Sequence, residues 1–353
     1  MASGNCSSGN SSGSGVPSGN ETSTPLPDKE QTNSQAEGLK LTLQVLLAFI
    51  GLIGNVSVIV VMRRLRKKKH TGNFYVQNLA VADLGILTVL FPLAIIKEKI
   101  PSNWPFGEFA CRYLCPLAEI FYGASVWFVT VIALTRYRKV VAGASLLGQN
   151  KIKRILQGPK VFACGVWLLS FLVFSFPPYF FVTYRELPNH EGKLCYVQWP
   201  SPKMQSFYMG GVLTFFSFIL PLLIMTLSYL RISHLIRESG LIAKDTPRPS
   251  KHEETEDKSL TSEAKVSRGR LKHDKFARRI VPPLVLLFTA TMLPLSILRL
   301  ATVIWPDIVK EQYFKTLFYV ISVFVMLNSS VNPMIYAAVS KDFRKEIENL
   351  CRS

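Results

Sequence analysis

Residues 74–96 decide the fold, and they read FYVQNLAVADLGILTVLFPLAII. A run of this length and apolarity can cross about 30 Å of bilayer hydrocarbon as an α-helix. Asp83 lies at its centre, where insertion scales assign an aspartate a cost of roughly 2.5–3.5 kcal/mol. An acid at that depth normally faces the interior of a helix bundle. The stretch therefore predicts a membrane helix with a functional, inward-facing carboxylate.

Six more stretches of this kind lie along the chain of 353 residues, of which 48% are hydrophobic. Buried helices of a large soluble protein are the alternative, which the length and near absence of charge in these stretches disfavour. The sequence predicts an all-α membrane protein, a seven-transmembrane helix bundle within residues 40–340. Its spans are expected at about 40–62, 74–96, 112–134, 160–183, 207–230, 280–304 and 313–339.

The formal net charge of +18 is concentrated next to the spans. Basic residues follow the first span, from Arg63 to Lys69, and recur between the third and fourth, from Arg136 to Lys160. Short loops rich in Lys and Arg stay in the cytoplasm, which predicts an extracellular N-terminus and a cytoplasmic C-terminus. Such runs contact anionic membrane lipids, so nucleic acid is not an expected partner.

Residues 1–39 are rich in Ser, Gly, Asn and Thr, and we expect a disordered extracellular tail. Asn5, Asn10 and Asn20 each begin an N-glycosylation acceptor motif. The tail has no apolar segment of the kind a cleaved signal peptide needs. The first span is therefore expected to direct its own insertion.

The six cysteines show no spacing typical of a metal site. Cys111, at the outer start of the third span, and Cys195, in the loop after the fourth, both face the oxidising side, where a disulfide persists. Cys115 lies one helical turn deeper and is the weaker candidate partner.

Polar residues also interrupt other spans. Their oxygen and nitrogen atoms are ligands that suit a small cation or a network of water molecules. Together with Asp83 they predict a buried polar core, formed by Asn55, Ser125, Asn328, Ser329 and Asn332.

Sequence motifs in order along residues 40–351 resemble those of a class A (rhodopsin-like) G-protein-coupled receptor. They are Gly54-Asn55-Val56, Leu79-Ala80-Val81-Ala82-Asp83-Leu84, Trp104-Pro105-Phe106-Gly107 before Cys111, Thr135-Arg136-Tyr137, Trp167, Pro221 with Tyr229, Pro294, Asn332-Pro333-Met334-Ile335-Tyr336 and Lys341-Asp342-Phe343-Arg344. The last motif opens a short amphipathic cytoplasmic helix, expected within residues 341–353.

The resemblance implies two functional sites. One is an allosteric sodium pocket made by Asp83, Ser125, Asn328, Ser329 and Asn332; no other metal or cofactor is expected. The other is a switch that activates a heterotrimeric G protein when the sixth helix moves outward. Its matching residues are Arg136, Tyr137, Tyr229, Asp274, Phe288, Pro294 and Tyr336.

Two residues depart from the family pattern. Thr135 replaces the acid that usually precedes Arg136, so an ion pair of the resting state is missing. We expect Asp274 to pair with Arg136 instead, although Asp274 could simply pair with Arg278 one turn further on. Met292 replaces the tryptophan two residues before Pro294, which changes the link between ligand and core.

The third cytoplasmic loop, about residues 237–275, is rich in hydroxyl and acidic residues. It is expected to be disordered, and its phosphorylation by receptor kinases would recruit arrestin. A merely solvated linker is the alternative. Cys351 is a candidate for palmitoylation.

Four residues are predicted to bind the ligand, namely Glu119, Tyr122, Trp199 and Arg299. Glu119 and Arg299 could instead pair with each other. Ala118 stands where amine receptors of the family carry an aspartate, and Met326 stands where opsins carry the retinal lysine, which argues against both ligand classes.

The run Leu194-Cys195-Tyr196-Val197-Gln198-Trp199 alternates like a hairpin strand, to which an extended peptide can add. A neuropeptide is therefore the expected ligand, and a lipid or other non-amine small molecule is the alternative. A secondary transporter is a remote alternative, because the halves of the chain show no repeat. No nucleophile–base or metal constellation indicates an enzyme.

Overall fold

The computed structural model describes residues 29–66, 72–100, 103–144, 158–187, 192–245 and 258–352. Side chains are described at 35–65, 74–97, 99–100, 103–138, 158–187, 192–235, 281–341, 343–350 and 352. Residues 1–43 and 44–353 form two compact units. Within the first unit, an exposed ion pair joins Lys40 Nζ to Glu37 Oε1 at 2.8 Å.

Seven helical segments among the described residues are long and apolar enough to span a membrane. We number them spans 1–7 in chain order: Gln35–Leu65, Phe74–Lys97, Gly107–Arg138, Pro159–Phe181, Pro202–Leu235, Val281–Ile304 and Phe314–Val339. Large apolar side chains such as Leu286, 70% exposed, and Phe49, 61% exposed, face away from the bundle, as contact with lipid requires. The predicted seven-helix membrane fold is confirmed.

Several spans are built from consecutive helical pieces, some of them wider π-helical turns, which are common where membrane helices bend. The α-helical pieces are Lys29–Arg66, Gly72–Gly85, Phe91–Lys99, Gly107–Phe109, Cys115–Ala144, Pro159–Ser170, Phe176–Phe181, Pro202–Ser206, Leu220–Asp245, Lys258–Ile304, Phe314–Val339 and Lys341–Arg352. The π-helical pieces are Ile86–Leu90, Ala110–Leu114, Phe171–Ser175, Phe207–Leu213 and Phe215–Ile219, and Pro306–Lys310 is a 3-10 helix.

Span 3 lies at the centre of the bundle and packs against spans 2, 4, 5 and 6. Ala124, Phe128 and Ile132 on this span are almost completely buried. Glycine allows spans 2 and 3 to approach each other, because a Cβ at Gly85 would lie 2.2 Å from the ring of Phe121. Span 2 therefore lies directly against span 3 just after Asp83.

A β-hairpin follows span 4 at one end of the bundle, which we call the hairpin end. Strands Val182–Glu186 and Lys193–Val197 pair antiparallel, with Tyr184 opposite Cys195. The alternating run around Cys195 therefore forms a strand, as predicted. The backbone N–H of Trp104 donates to the carbonyl of Lys193 at 2.6 Å, which joins the Trp-Pro-Phe-Gly loop to the hairpin.

Three helices extend beyond their predicted limits. The first begins at Lys29, inside the tail expected to be disordered, and the helices flanking the third loop reach Asp245 and start again at Lys258. These extensions are rich in Lys, Glu, Gln, Ala, Leu and Arg, all of which have high helix propensity. Of the predicted loop at 237–275, only residues 246–257 lie outside the described helices.

Candidate functional site

Asp83 is the centre of the polar core, and its side chain is 0% exposed. Ser125 of span 3 donates from Oγ to Asp83 Oδ1 at 2.7 Å. Asn332 of span 7 donates from Nδ2 to Asp83 Oδ2 at 2.9 Å. The carboxylate therefore joins spans 2, 3 and 7 through hydrogen bonds to both of its oxygens.

Further hydrogen bonds in this region reach spans 1 and 6. Asn55 Nδ2 donates to the carbonyls of Gly51 at 2.9 Å and Ser329 at 3.0 Å, which ties span 1 to span 7. Thr291 Oγ1 donates to Asn328 Oδ1 at 3.2 Å, which ties span 6 to span 7. The structure thus brings the predicted polar-core residues into one region of the bundle.

Two oxygens of this core are buried and make no hydrogen bond with the described residues, namely Ser329 Oγ and Asn332 Oδ1. Buried polar atoms are rarely left without a partner. A carboxylate accompanied by hydroxyl and amide oxygens is the ligand chemistry that hard cations prefer. The residues present therefore fit a small cation such as sodium.

The disulfide predicted between Cys111 and Cys195 is confirmed, with a Cα–Cα distance of 5.7 Å. It joins the beginning of span 3 to the second strand of the hairpin. Cys115, the weaker candidate, is a free and partly buried thiol.

Arg299 and Tyr122 meet beneath the hairpin. The guanidinium lies over the Tyr122 ring, 5.3 Å from its centroid, and donates from Nη1 to Ser217 Oγ at 2.8 Å and to the Tyr122 hydroxyl at 3.5 Å. The Tyr122 hydroxyl in turn donates to the sulfur of Met292 at 3.7 Å. Spans 3, 5 and 6 are thereby joined at the predicted ligand site.

Glu119 lies one turn before Tyr122 on span 3 and is partly exposed. Its carboxylate makes no ion pair with Arg299, so the structural pair left open by the sequence does not form in the described bundle. The two side chains interact only through longer-range electrostatics.

Trp199 lies at the boundary between the hairpin and span 5. Its ring centroid is 4.9 Å from that of Phe181 and 4.9 Å from that of Tyr208. The Tyr208 hydroxyl donates to the carbonyl of Val173 at 2.9 Å. These aromatic rings form one wall beside the predicted ligand site.

The outer edge of the hairpin carries a charged pair. Lys193 Nζ lies 3.3 Å from Glu186 Oε1, to which the Tyr184 hydroxyl also donates at 3.0 Å. The hydrogen bond to Glu186 is the main reason why the pKa of the Lys193 ammonium is raised. Lys193 therefore remains cationic at neutral pH.

Arg136 lies at the opposite end of the bundle, which we call the Arg136 end. Thr135 donates from Oγ1 to the carbonyl of Ile132 at 3.0 Å, so its hydroxyl is used within its own helix. Tyr336 is buried with its hydroxyl unbonded among the described residues, and it interacts electrostatically with Arg136 and Asp83. Its ring packs edge-on against Phe343 of the amphipathic helix, with centroids 6.5 Å apart.

The other predicted switch residues occupy the same half of the bundle or its middle. Tyr137 and Tyr229 are partly buried against the apolar core. Phe288 stacks on Phe218 with centroids 6.2 Å apart, and Pro294 lies within span 6. The side chains of Asp274 and Cys351, and the residues Asn5, Asn10 and Asn20, lie outside the described part of the chain.

Sequence reasoning missed the partners that position Arg299 and Tyr122. Ser217 could have been found, because it is a polar residue one turn before Pro221 in an apolar span. Met292 was recognised as a departure, but not as an acceptor for the Tyr122 hydroxyl. No sequence pattern indicates that contact, because it depends on how two distant spans pack.

Comparison with known proteins identifies the family of this chain. A model of the 7 transmembrane receptor (rhodopsin family) matches residues 54–336. Somatostatin receptor type 4 of Rattus norvegicus is 27% identical over 335 residues, or 92% of this chain and 77% of that protein. Neuropeptides B/W receptor type 2 of Homo sapiens is 30% identical over 308 residues, or 86% and 83%.

Neuromedin-K receptor of Cavia porcellus is 26% identical over 297 residues, which cover 84% of this chain and 61% of that protein. Such receptors are signalling proteins rather than enzymes. The match to the family model extends from Gly54 of the first span to Tyr336 of the seventh. The chain belongs to the rhodopsin family of seven-transmembrane receptors, and its relatives include receptors for peptides.

Proposed function

We propose that this receptor binds an extracellular neuropeptide at its hairpin end and activates a heterotrimeric G protein at its Arg136 end. The observation that carries the proposal is the position of the hairpin, fixed by the Cys111–Cys195 disulfide above Tyr122 and Arg299. A paired strand above a polar site suits an extended peptide, which can use both main-chain and side-chain contacts. The relatives named for somatostatin, neuropeptides B/W and neuromedin K support the same ligand class.

The hairpin end is the extracellular side in this proposal, and the receptor lies in the plasma membrane. A disulfide persists in an oxidising compartment, which supports that side for Cys111 and Cys195. Lys and Arg next to spans 1 and 3 support a cytoplasmic Arg136 end in contact with anionic lipids. The acceptor motifs at Asn5, Asn10 and Asn20 then lie on the glycosylated side.

Trp199 and Glu119 complete the proposed ligand site with Tyr122 and Arg299. An aromatic wall and charged groups within the spans favour a peptide over a lipid, because a lipid tail gains nothing from buried charge. A lipid or other non-amine small molecule is the competing ligand class, and the experiment below separates the two.

A sodium ion is proposed to bind in the polar core, where Asp83, Ser125, Asn328, Ser329 and Asn332 would hold it. Its charge would compensate that of the buried carboxylate. A ligand that binds one conformation more tightly shifts the population toward it, so an ion coordinated across spans 2, 3 and 7 would favour the closed bundle. Ser329 Oγ and Asn332 Oδ1 supply the oxygens that the internal hydrogen bonds leave unused.

Activation is proposed to proceed by outward movement of span 6. Pro294 removes a backbone hydrogen bond from this helix and provides a bending point. Phe288 and Tyr336 change their packing in that movement, together with Tyr137 and Tyr229. The site for the G protein opens around Arg136, and Asp274 opposes the opening.

The hydroxyl residues of the third loop are proposed as substrates of receptor kinases, with arrestin as the partner of the phosphorylated loop. Cys351 is proposed to carry a palmitate beside the amphipathic helix. Alanine at Ser250, Thr255, Ser259, Thr261, Ser262 and Ser267 should reduce arrestin recruitment, and unchanged recruitment would refute this part of the proposal.

The proposal is tested by applying separated peptide, amine and lipid extracts of nervous tissue to cells that express the receptor. The peptide fraction should raise a second-messenger signal that protease treatment removes. Arg136→Ala, compared at equal surface expression, should abolish the signal while binding remains. Activity confined to the lipid fraction would support the alternative, and G-protein-independent uptake of a solute would support a transporter.

A further inference from the structure

Glu119 is an acidic residue in span 3 whose carboxylate has no described partner. No hydrogen bond or ion pair engages it within the described part of the chain, and Arg299 donates to Ser217 and Tyr122 instead. Arg299 and Lys97 act on it only at longer range. Glu119 is partly exposed, and its neighbour Ala118 packs in the apolar cluster that includes Val182 and Cys195 of the hairpin.

The two cations near Glu119 are already engaged by other groups. Arg299 lies over the Tyr122 ring and donates to Ser217 Oγ at 2.8 Å. Lys97 lies over the ring of Trp104, with its Nζ 5.6 Å from the ring centroid. Cation–π and hydrogen-bond contacts of this kind hold a charged side chain in place when it is partly removed from water. Of the three charged residues Arg299, Lys97 and Glu119, only Glu119 makes no such contact with the described residues.

We propose that Glu119 is a recognition site for a positively charged group of the ligand, a guanidinium or an ammonium. The inference deepens the proposed function and rests on it, because the group is assigned to a peptide. Ionised donors form the strongest hydrogen bonds to carboxylates, and a guanidinium can engage both oxygens at once. A carboxylate held among apolar helices without such a partner is costly, so a ligand cation gains more here than in water.

A ligand carboxylate is less well accommodated at this position. It would have to compete with Ser217 for Arg299 and with the Trp104 ring for Lys97, and it would lie near the negative charge of Glu119. A cation would leave both contacts in place, and its direct contact with Glu119 would have to outweigh the repulsion from Arg299 and Lys97. The three residues therefore favour a ligand cation over a ligand carboxylate, although both positive and negative side chains are present among them.

Arg299 acts as a positioning residue in this arrangement. It holds the Tyr122 ring by its cation–π contact, and Tyr122 donates to Met292 Sδ at 3.7 Å. A cation bound at Glu119 would lie one helical turn from that contact on span 3. Binding at Glu119 is thereby linked to span 6 through Tyr122.

The probes for a test are pools of short, C-terminally amidated synthetic peptides. One pool carries arginine at a fixed position, a second carries citrulline, which keeps the shape and removes the charge, and a third carries glutamate. Each pool is made with a free and with an acetylated N-terminus, which distinguishes a side-chain cation from the terminal ammonium. The readout is the concentration that gives half-maximal G-protein activation, measured with the native receptor in membranes.

The half-maximal concentration of the cationic pools should be lower than that of their neutral counterparts by a factor of about ten or more. One charge-assisted hydrogen bond is expected to give a difference of this size. In Glu119→Gln this preference should disappear, because the amide keeps the size of the side chain but not its charge. Glu108→Gln is the matched control. Glu108 is exposed at the start of the same span and pairs with Arg112 at 2.6 Å, so the preference should persist.

The outcomes separate this inference from the proposed function. Activation without a preference for cations, a preference for the glutamate pool, or a cation preference that survives in Glu119→Gln would overturn the role of Glu119 and leave the peptide receptor intact. If no peptide pool activates the native receptor while a lipid fraction does, the proposed function itself fails. The comparison of arginine with citrulline uses the native chain, so it remains decisive even if Glu119→Gln does not reach the surface.

Discussion

The two ends of the bundle are held together by different kinds of contact. At the hairpin end, a disulfide fixes the hairpin to span 3 and a ladder of five residue pairs joins its two strands, while side-chain hydrogen bonds tie span 4 to span 3. Among the latter, Tyr179 donates to the carbonyl of Tyr113 at 3.0 Å and Ser175 to that of Pro116 at 2.8 Å. Among the described side chains of the Arg136 half, apolar ones such as Ile232 and Leu284 pack into the buried core.

This difference indicates where the molecule can change shape. Covalent and hydrogen-bonded contacts have narrow geometries, whereas apolar contacts can be exchanged for similar ones at low cost. The hairpin end is therefore suited to present a fixed ligand site, and the Arg136 end to open and close. Between them lie the hydrogen bonds of Asp83 to spans 3 and 7 and separate bonds that tie spans 1 and 6 to span 7, so a change at either end can be passed on through span 7.

Removal of the disulfide should have the largest effect on this comparison. Cys195→Ser deletes a bond that closes a separation of 84 residues, and loss of a native disulfide typically costs about 2–5 kcal/mol. We expect a strong loss of surface expression and of ligand binding, measured by antibody labelling of intact cells and by peptide response. Cys115→Ser is the control and should behave like the native receptor. A silent Cys195→Ser beside a severe Cys115→Ser defect would contradict the assignment.

The second effect concerns the polar core. Asp83→Asn keeps the shape of the side chain and removes the charge that would hold sodium. The coupling free energy between an allosteric effector and a ligand is typically about 1–3 kcal/mol. We expect the coupling between sodium and the agonist to vanish in Asp83→Asn. The measurement is agonist affinity in membranes at matched ionic strength with sodium or with N-methylglucamine. Sodium dependence that persists in Asp83→Asn would refute the cation site.

A smaller effect is expected at the Arg136 end. Thr135 carries no charge that could pair with Arg136, so the resting state relies on other contacts. We predict that an ion pair between Arg136 and Asp274 is one of them. A partly exposed ion pair contributes about 1 kcal/mol or less. Thr135→Asp should therefore lower basal G-protein activation several-fold, and Asp274→Ala should raise it slightly, both compared at equal expression. If neither substitution alters basal activation, the predicted lock does not exist.

The smallest effect should come from the outer edge of the hairpin. Glu186 and Lys193 form an exposed pair, which solvent screens, and the strands remain joined by their backbone ladder and by the disulfide. Glu186→Gln should leave thermal stability and ligand response unchanged within error. A marked loss of response would mean that this edge contacts the ligand, which would move the ligand site outward from Glu119.

Much of the fold could be predicted because membrane spans need long apolar runs, and an aspartate within one demands a buried polar surrounding. The same argument identified Asp83, Ser125 and Asn332, whose hydrogen bonds the structure shows. Alternation within a short segment was sufficient to predict the strand around Cys195.

What could not be predicted depends on packing between distant segments. The sequence allowed Arg299 and Glu119 to pair or to stay apart, and in the structure Arg299 donates to Ser217 and lies over the Tyr122 ring instead. The wider helical turns in span 5 have the same origin, since no local residue preference specifies where a helix adds a residue to a turn.

The difference between the two ends is tested most directly by distances within the purified receptor. Spin labels at Arg138 and Lys275 report on spans 3 and 6 at the Arg136 end, and labels at Arg112 and Trp305 report on the same spans at the hairpin end. Native cysteines other than Cys111 and Cys195 are replaced by serine. On addition of a nucleotide-free heterotrimeric G protein, we predict a clear increase in the first distance and little change in the second. An unchanged first distance, or an equal change at both ends, would contradict the account.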